Sequence, residues 1–81
     1  MKRYYMQVED KVLVYPSIKA RREAFSTYNN AKIVNRAEAF KVVKTSLYNA
    51  FLYEKDGIEY LCNAKDFNES MGNIIGYLDY Q

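Results

Sequence analysis

The sequence predicts an α+β fold, in which an antiparallel sheet of four or five strands packs with two or three helices. Three observations support this prediction: two segments rich in strand-favouring apolar and aromatic residues that each contain a polar turn, three polar residues placed to cap helices, and a hydrophobic content of 49%. The elements follow in the order ββα(β)αββα, with two β-hairpins. At 81 residues the chain has the size of one compact domain, with expected bounds of 1–81.

The first hairpin is predicted at the start of the chain. Residues 3–8 and 11–15 are rich in Tyr and Val, which favour strands, and Glu9-Asp10 between them forms a polar turn. Alternation along the strand points Tyr5 to the face opposite its neighbours. An aromatic ring on a sheet face beside basic residues can stack on nucleic-acid bases, so Tyr5 is a candidate binding residue.

Two helices and a short edge strand are predicted next. Ser17 follows a proline and is placed to cap a helix over 18–28. Residues 31–34 form a short edge strand. Asn35, with a carboxylate three residues later, has the form of a capping box and begins a second helix over 36–46.

The second half of the chain repeats the hairpin-and-helix plan. Strands are predicted at 48–53 and 58–62, because Asp56-Gly57 between them supplies the positive φ that hairpin loops need. A third helix is expected over 64–78. Its apolar face consists of residues at helical spacing: Ala64, Phe67, Met71, Ile74, Ile75 and Leu78.

Charge is divided along the chain. Residues 1–46 carry ten Lys/Arg and four Asp/Glu, a net charge of +6, whereas residues 47–81 carry two and six, a net charge of −4. Because the charges are segregated while their total is only +2, the folded protein is expected to have a basic side and an acidic side. Such a surface suits docking to a charged partner.

Several classes of enzyme are excluded by what the sequence lacks. It has no histidine, which is the commonest general base and metal ligand. Its one cysteine, Cys62, has no cationic sequence neighbour to activate it and is expected to be buried and inert. The three glycines match neither a phosphate-binding loop nor a dinucleotide fingerprint. We therefore predict a protein that is not an enzyme and uses no cofactor or metal.

The sequence also indicates the compartment of the protein. No run of residues approaches the ~18 apolar residues of a membrane helix. The basic start, Met1-Lys2-Arg3, is not followed by the apolar stretch of a secretion signal. With a single cysteine in addition, the sequence predicts a cytoplasmic protein without a membrane partner.

Candidate binding residues come from the basic half and its aromatic neighbours. Nine tyrosines favour recognition, because Tyr supplies a large contact area and a hydroxyl. Arg21 falls within the apolar stripe of its helix, so it either pairs inside the fold or contacts a target, and pairing is the preferred alternative. The full set of candidates is Arg3, Tyr5, Lys19, Arg21, Arg22, Lys41 and Lys44.

Two functions remain open. The preferred one is a small protein-binding module, encoded by a phage or mobile element, that docks on a larger host protein or nucleoprotein complex and blocks a nucleic-acid-handling defence protein. This preference rests on the general character of the sequence and not on a motif match. The alternative is direct binding of DNA or RNA through the basic half, against which the small net charge of +2 argues. A homodimer is compatible with both.

Overall fold

The structure, a computed structural model, describes residues 2–78 of the chain; the predicted bounds of 1–81 extend beyond that range at both ends. The strands are β1 (Tyr4–Val8), β2 (Lys11–Tyr15), β3 (Ala31–Val34), β4 (Ala50–Lys55), β5 (Ile58–Asn63) and β6 (Asn73–Tyr77), and the helices are α1 (Ile18–Phe25) and α2 (Arg36–Val42). The six strands form one antiparallel sheet in the order β3-β1-β2-β5-β4-β6. The α+β class is therefore confirmed, with more strands than predicted.

Both predicted hairpins are present. β1 and β2 pair from Tyr4 opposite Tyr15 to Val8 opposite Lys11, and Glu9 in the turn has a φ of 58°. In the second hairpin the turn residues Asp56 and Gly57 have φ values of 54° and 81°. Two successive positive φ angles match the right-handed twist of the paired strands, which is why an Asp-Gly turn closes this hairpin.

The caps of both helices are also as predicted. The Ser17 hydroxyl accepts a hydrogen bond from the Ala20 amide at 3.0 Å. Asn35 Oδ1 accepts from the Glu38 amide at 2.8 Å, and Glu38 Oε1 accepts from the Asn35 amide at 3.0 Å, which completes the capping box. Both helices end before the predicted 28 and 46, because short turns take up the residues that follow them.

The two helices lie on opposite faces of the sheet. Because strand side chains alternate between faces, Tyr4 and Tyr5 point in opposite directions. α2 packs on the Tyr5 face, where its buried Ala39 joins the main core cluster. α1 lies on the Tyr4 face, where it borders a groove with Ile33 of β3. The main cluster consists of Tyr5, Val12, Val14, Val34, Ala39, Ala50, Leu52, Leu61 and Leu78.

The prediction of a third helix over residues 64–78 is wrong. Within residues 64–78 the structure has turns, a 3-10 helix at Glu69–Met71 and the strand β6. Gly72 and Gly76 have φ values of 153° and 156°, which no helix allows. β6 pairs with β4 and contains an irregularity: Tyr53 lies opposite Ile74 and Leu52 opposite Gly76, so Ile75 is an extra residue. This bulge disturbs the strict alternation of a strand, and the remaining apolar spacing resembles that of a helix.

The charge division of the sequence becomes a division between the two ends of the sheet. β3, β1 and β2 come from the basic half and occupy one end, whereas β5, β4 and β6 come from the acidic half and occupy the other. The halves meet where β2 pairs with β5, with Val12 opposite Leu61. The basic end also carries both helices, so its cations are distributed over two faces instead of one.

Candidate functional site

Arg21 is held against the basic end of the sheet by two contacts. Its Nη1 donates a hydrogen bond to the Tyr5 carbonyl oxygen at 3.3 Å. Its guanidinium carbon lies 5.4 Å from the centroid of the Tyr4 ring, within cation–π distance. The side chain therefore pairs inside the fold, as the preferred interpretation of the sequence had it, and its position is fixed before any partner arrives.

An apolar groove runs beside Arg21, between α1 and the edge strand β3. We call it the α1–β3 groove; it has a volume of about 220 Å³ and is lined by Ile18, Arg21, Arg22, Phe25 and Ile33. Ile18, Phe25 and Ile33 are 48%, 42% and 43% exposed, respectively. Three large apolar side chains are therefore about half exposed to solvent around this groove, and two arginines lie at its border.

The charge of the α1–β3 groove is uniformly positive. Its lining contains two arginines and no carboxylate. The acidic residue of α1, Glu23, is exposed and lies about 140° around the helix from Ile18. A partner entering the groove would therefore meet apolar surface flanked by guanidinium groups, an arrangement that favours an apolar side chain with acidic neighbours.

The other predicted cations of the helices are not all at this groove. Lys19 is exposed on α1, about 100° around the helix from Ile18. Lys41 and Lys44 are exposed at the end of α2, on the other side of the sheet. The carbonyl oxygen of Lys44 accepts a hydrogen bond from Asn63 Nδ2 at 2.6 Å, which ties this end of α2 to β5. The structure thus groups Arg21 and Arg22 and separates them from Lys41 and Lys44.

Tyr5 and Arg3 lie on the α2 side of the sheet. Tyr5 is buried in the main core cluster, so its ring does not offer a surface for stacking. Burial raises the pKa of Tyr5, while the charges of Arg36 and Arg3 lower it. Arg3 is half-buried near this phenol, away from the α1–β3 groove.

A second aromatic group lies on the face opposite Tyr5. The rings of Tyr53 and Tyr60 stack with centroids 5.0 Å apart and an interplanar angle of 16°. Lys11 Nζ lies 5.9 Å from the Tyr60 centroid. Burial raises the pKa of both phenols, and the carboxylates of Asp10, near Tyr53, and Asp56, near Tyr60, add to the rise. This face therefore combines aromatic rings with charges of both signs.

The pKa of Tyr15 lies well above that of an ordinary tyrosine. Burial, followed by the neighbouring Tyr28 and Tyr60, raises the pKa of Tyr15 to about 12. In an unfolded chain a tyrosine titrates near pH ~10. Between these two values the folded state keeps a proton that the unfolded state has lost.

The protein is therefore expected to lose stability as the pH rises from about 10 towards 12. The contribution of Tyr15 is fully present below pH ~10 and is lost as the pH passes through the folded value. Urea unfolding followed by circular dichroism at several pH values in this window measures the loss. Tyr15→Phe removes the titrating group, so its stability should fall less steeply than that of the wild type; equal slopes would contradict the assignment.

Cys62 lies beside a larger cavity of about 360 Å³ at the end of β5, which is also lined by Lys11, Lys44 and Asp66. The thiol is buried, as predicted. Burial and the nearby Asp66 carboxylate raise its pKa, which disfavours the reactive thiolate. Within residues 2–78, no group of three or more His, Cys, Asp or Glu is placed to hold a metal ion. No helix in that range is long and apolar enough to cross a membrane.

Sequence reasoning missed the apolar part of the groove. Ile18 and Phe25 belong to the apolar stripe that the sequence predicts around Arg21 on the first helix, and the sequence gives Ile33 only a place in a short edge strand. α1 instead has no buried residue, and its half-buried Ala20, Arg21 and Ala24 face the sheet. The available signal was Arg21 itself, because a charged residue in the centre of an apolar stripe indicates that the stripe is not fully buried.

No known protein family, characterised protein or solved structure matches this chain. The geometry and chemistry of the chain itself are therefore the guide to its function.

Proposed function

We propose that the protein is a non-enzymatic protein-binding module that uses the α1–β3 groove to dock on a larger protein. The observation that carries the proposal is the exposure of Ile18, Phe25 and Ile33 around one groove bordered by two arginines. Burial of apolar surface is the main favourable term in association, at about 25 cal/mol per Å² removed from water. A partner side chain that fills the groove would cover all three residues at once.

Arg21 and Arg22 support the same function. Arginine is enriched at protein interfaces, where it combines an apolar stem with a planar group that binds carboxylates. Because Arg21 is already fixed by Tyr4 and the Tyr5 carbonyl, its ordering adds little entropic cost to binding. The expected partner surface therefore presents an apolar side chain next to Asp or Glu.

For the identity of the target, we propose a host protein that handles nucleic acid, blocked by this protein as an inhibitor of phage or mobile-element origin. The support is the absence of histidine and of nucleotide-binding motifs from the given sequence, which favours a blocking role over a catalytic one. An inhibitor needs only to cover a functional surface of its target, and a domain of this size can do so through one face.

Direct binding of nucleic acid is the second candidate. The half-buried ring of Tyr60, which stacks on the buried Tyr53 and lies beside Lys11, favours it. The carboxylates of Asp10 and Asp56 near these rings oppose it, because they repel a phosphate backbone. Labelled DNA and RNA that shift at ~50 mM salt and are released by ~200 mM would support this candidate, and no shift at either salt would eliminate it.

The protein-binding function is tested with variants of the groove. Ile33→Lys places a third cation at the groove and is expected to weaken binding to the purified target by roughly tenfold or more. Lys41→Glu, on the far side of the sheet, is the matched control and should bind like the wild type. Isothermal titration calorimetry measures both. Equal affinity of Ile33→Lys and wild type would show that the interface lies elsewhere.

A further inference from the structure

The ladder that joins the two hairpins ends before the strands themselves end. β2 and β5 pair over three residue pairs only, the outermost of which sets Val12 opposite Leu61, whereas β5 runs on to Asn63. The cavity of about 360 Å³ lies at this end of β5. We call it the hairpin cleft, because its lining comes from both hairpins, together with the end of α2 and the segment that follows β5.

The hairpin cleft has an apolar floor and a charged rim. The floor is the buried part of its lining and includes Tyr53, Leu61 and Cys62. Its volume lies within the ~300–1,000 Å³ of small-molecule sites, which combine a mostly apolar lining with a few polar groups. The rim carries four exposed charged side chains, two of each sign: Asp10, Lys11, Lys44 and Asp66.

The charges of the rim are not paired with one another. In residues 2–78, the side chains of Asp10, Lys44 and Asp66 form no ion pair or hydrogen bond. The ammonium group of Lys11 has only the Tyr60 ring, whose centroid is 5.9 Å away. Two carboxylates and two ammonium groups around one cleft therefore remain available to the charged groups of a ligand.

Hydrogen bonds hold the backbone of the rim in place. Asn63 Nδ2 donates to the Lys44 carbonyl oxygen at 2.6 Å, and the Asp66 amide donates to the Asn63 carbonyl oxygen at 3.0 Å. Lys44 has a φ of 54°, the left-handed conformation in which many helices end. Because the backbone beneath two of the four charges is already ordered, a ligand does not have to order it on binding.

We propose that the hairpin cleft binds a small zwitterion with an apolar body, the chemical class of a free aliphatic or aromatic amino acid. The rim has no net charge, so a ligand with a single charge is attracted by one pair of rim groups and repelled by the other. A zwitterion can set its carboxylate towards the lysines and its ammonium group towards the aspartates, while its apolar body covers the floor. The cleft shares no lining residue with the α1–β3 groove, so it is a second site.

The experiment is a titration of the isotope-labelled full chain, followed by amide NMR spectra, with three probes that share one apolar body. L-phenylalanine carries both charges, phenylpropionate only the carboxylate and phenethylamine only the ammonium group. L-phenylalanine should shift the amide signals of Lys11, Lys44 and Asp66. The single-charge probes should bind roughly fivefold or more weakly, because each lacks one set of ion pairs. L-leucine, an aliphatic zwitterion, should shift the same signals.

Charge reversal at the rim provides the sharper test. Lys44→Glu keeps the backbone carbonyl that Asn63 contacts, and it should weaken the binding of L-phenylalanine and phenylpropionate roughly fivefold while strengthening that of phenethylamine. Lys32→Glu makes the same change of charge at an exposed position on β3, outside the cleft; as the matched control it should bind all three probes like the wild type. Circular dichroism checks that the variants are folded.

Three results would overturn the proposal. The first is the absence of any shift with either amino acid up to ~10 mM. The second is equal affinity for L-phenylalanine and the single-charge probes. The third is a Lys44→Glu variant that weakens all three probes alike, since a uniform loss indicates a change of structure and not of charge. None of these measurements uses the protein target, so the zwitterion site and the proposed function can fail independently.

Discussion

Leu52→Ala is expected to lower the free energy of unfolding by about 2–5 kcal/mol, which is the usual range for an emptied core leucine site. Leu52 is 2% exposed and belongs to the main core cluster on β4, opposite Leu61 of β5 and Gly76 of β6. A domain of this size has a total stability of about 4–12 kcal/mol. The loss therefore takes a large part of the total, and urea unfolding followed by circular dichroism measures it.

The control for this prediction is Ile33→Ala, which also shortens a strand side chain. Ile33 is 43% exposed, so less apolar surface returns to water and no closed cavity forms; its loss should stay below about 1 kcal/mol. If both variants lost the same stability, the burial of Leu52 between the strands and α2 would not be the main support of the fold.

Gly72→Ala is expected to destabilise the protein more than Gly76→Ala. Both glycines have nearly the same backbone φ, 153° and 156°, so both substitutions share a strain of about 1–3 kcal/mol. A Cβ at Gly72 would also overlap the Glu54 carbonyl oxygen and lie 3.0 Å from Tyr53 Cδ2, whereas a Cβ at Gly76 meets no atom within 4 Å. The overlap adds roughly 1–3 kcal/mol at Gly72 alone.

Thermal and urea unfolding of the two glycine variants, compared with the wild type, isolates the steric contribution. The difference between them reports the close approach of residue 72 to β4, because the backbone strain cancels. Equal stability of the two variants would contradict that approach, and with it the position of β6 at the edge of the sheet.

Local signals in the sequence were sufficient for most of the first 63 residues. The sequence predicts Ser17 and Asn35 as helix caps, and Asp56-Gly57 as a hairpin turn, because each of these effects depends on neighbours a few residues away. The last strand was missed because its identity depends on a distant element. β6 exists through pairing with β4, and its bulge makes the apolar spacing ambiguous. Gly72 and Gly76 were the local evidence against a helix.

The candidate site was less predictable than the fold. The sequence indicates Arg22 by its charge and Arg21 by its place within an apolar stripe, but the exposure of Phe25 and Ile33 depends on how α1 sits on the sheet. α1 has eight residues, too few to cover the strands beneath it completely. Nor could the sequence show that Lys41 lies across the sheet from Arg22, because that requires the order of the strands and the faces on which the helices pack.

The most direct test of the proposed function is affinity capture from the source cells after nuclease digestion, at ~200 mM salt, with wild type and Ile33→Lys side by side. Mass spectrometry and nucleic-acid staining identify what is retained. We expect one protein, or the protein component of one complex, to be retained by the wild type and lost with Ile33→Lys, because the α1–β3 groove is the proposed interface. The protein-binding function would be contradicted if the wild type retained nucleic acid in a capture without digestion but retained no specific protein after nuclease digestion.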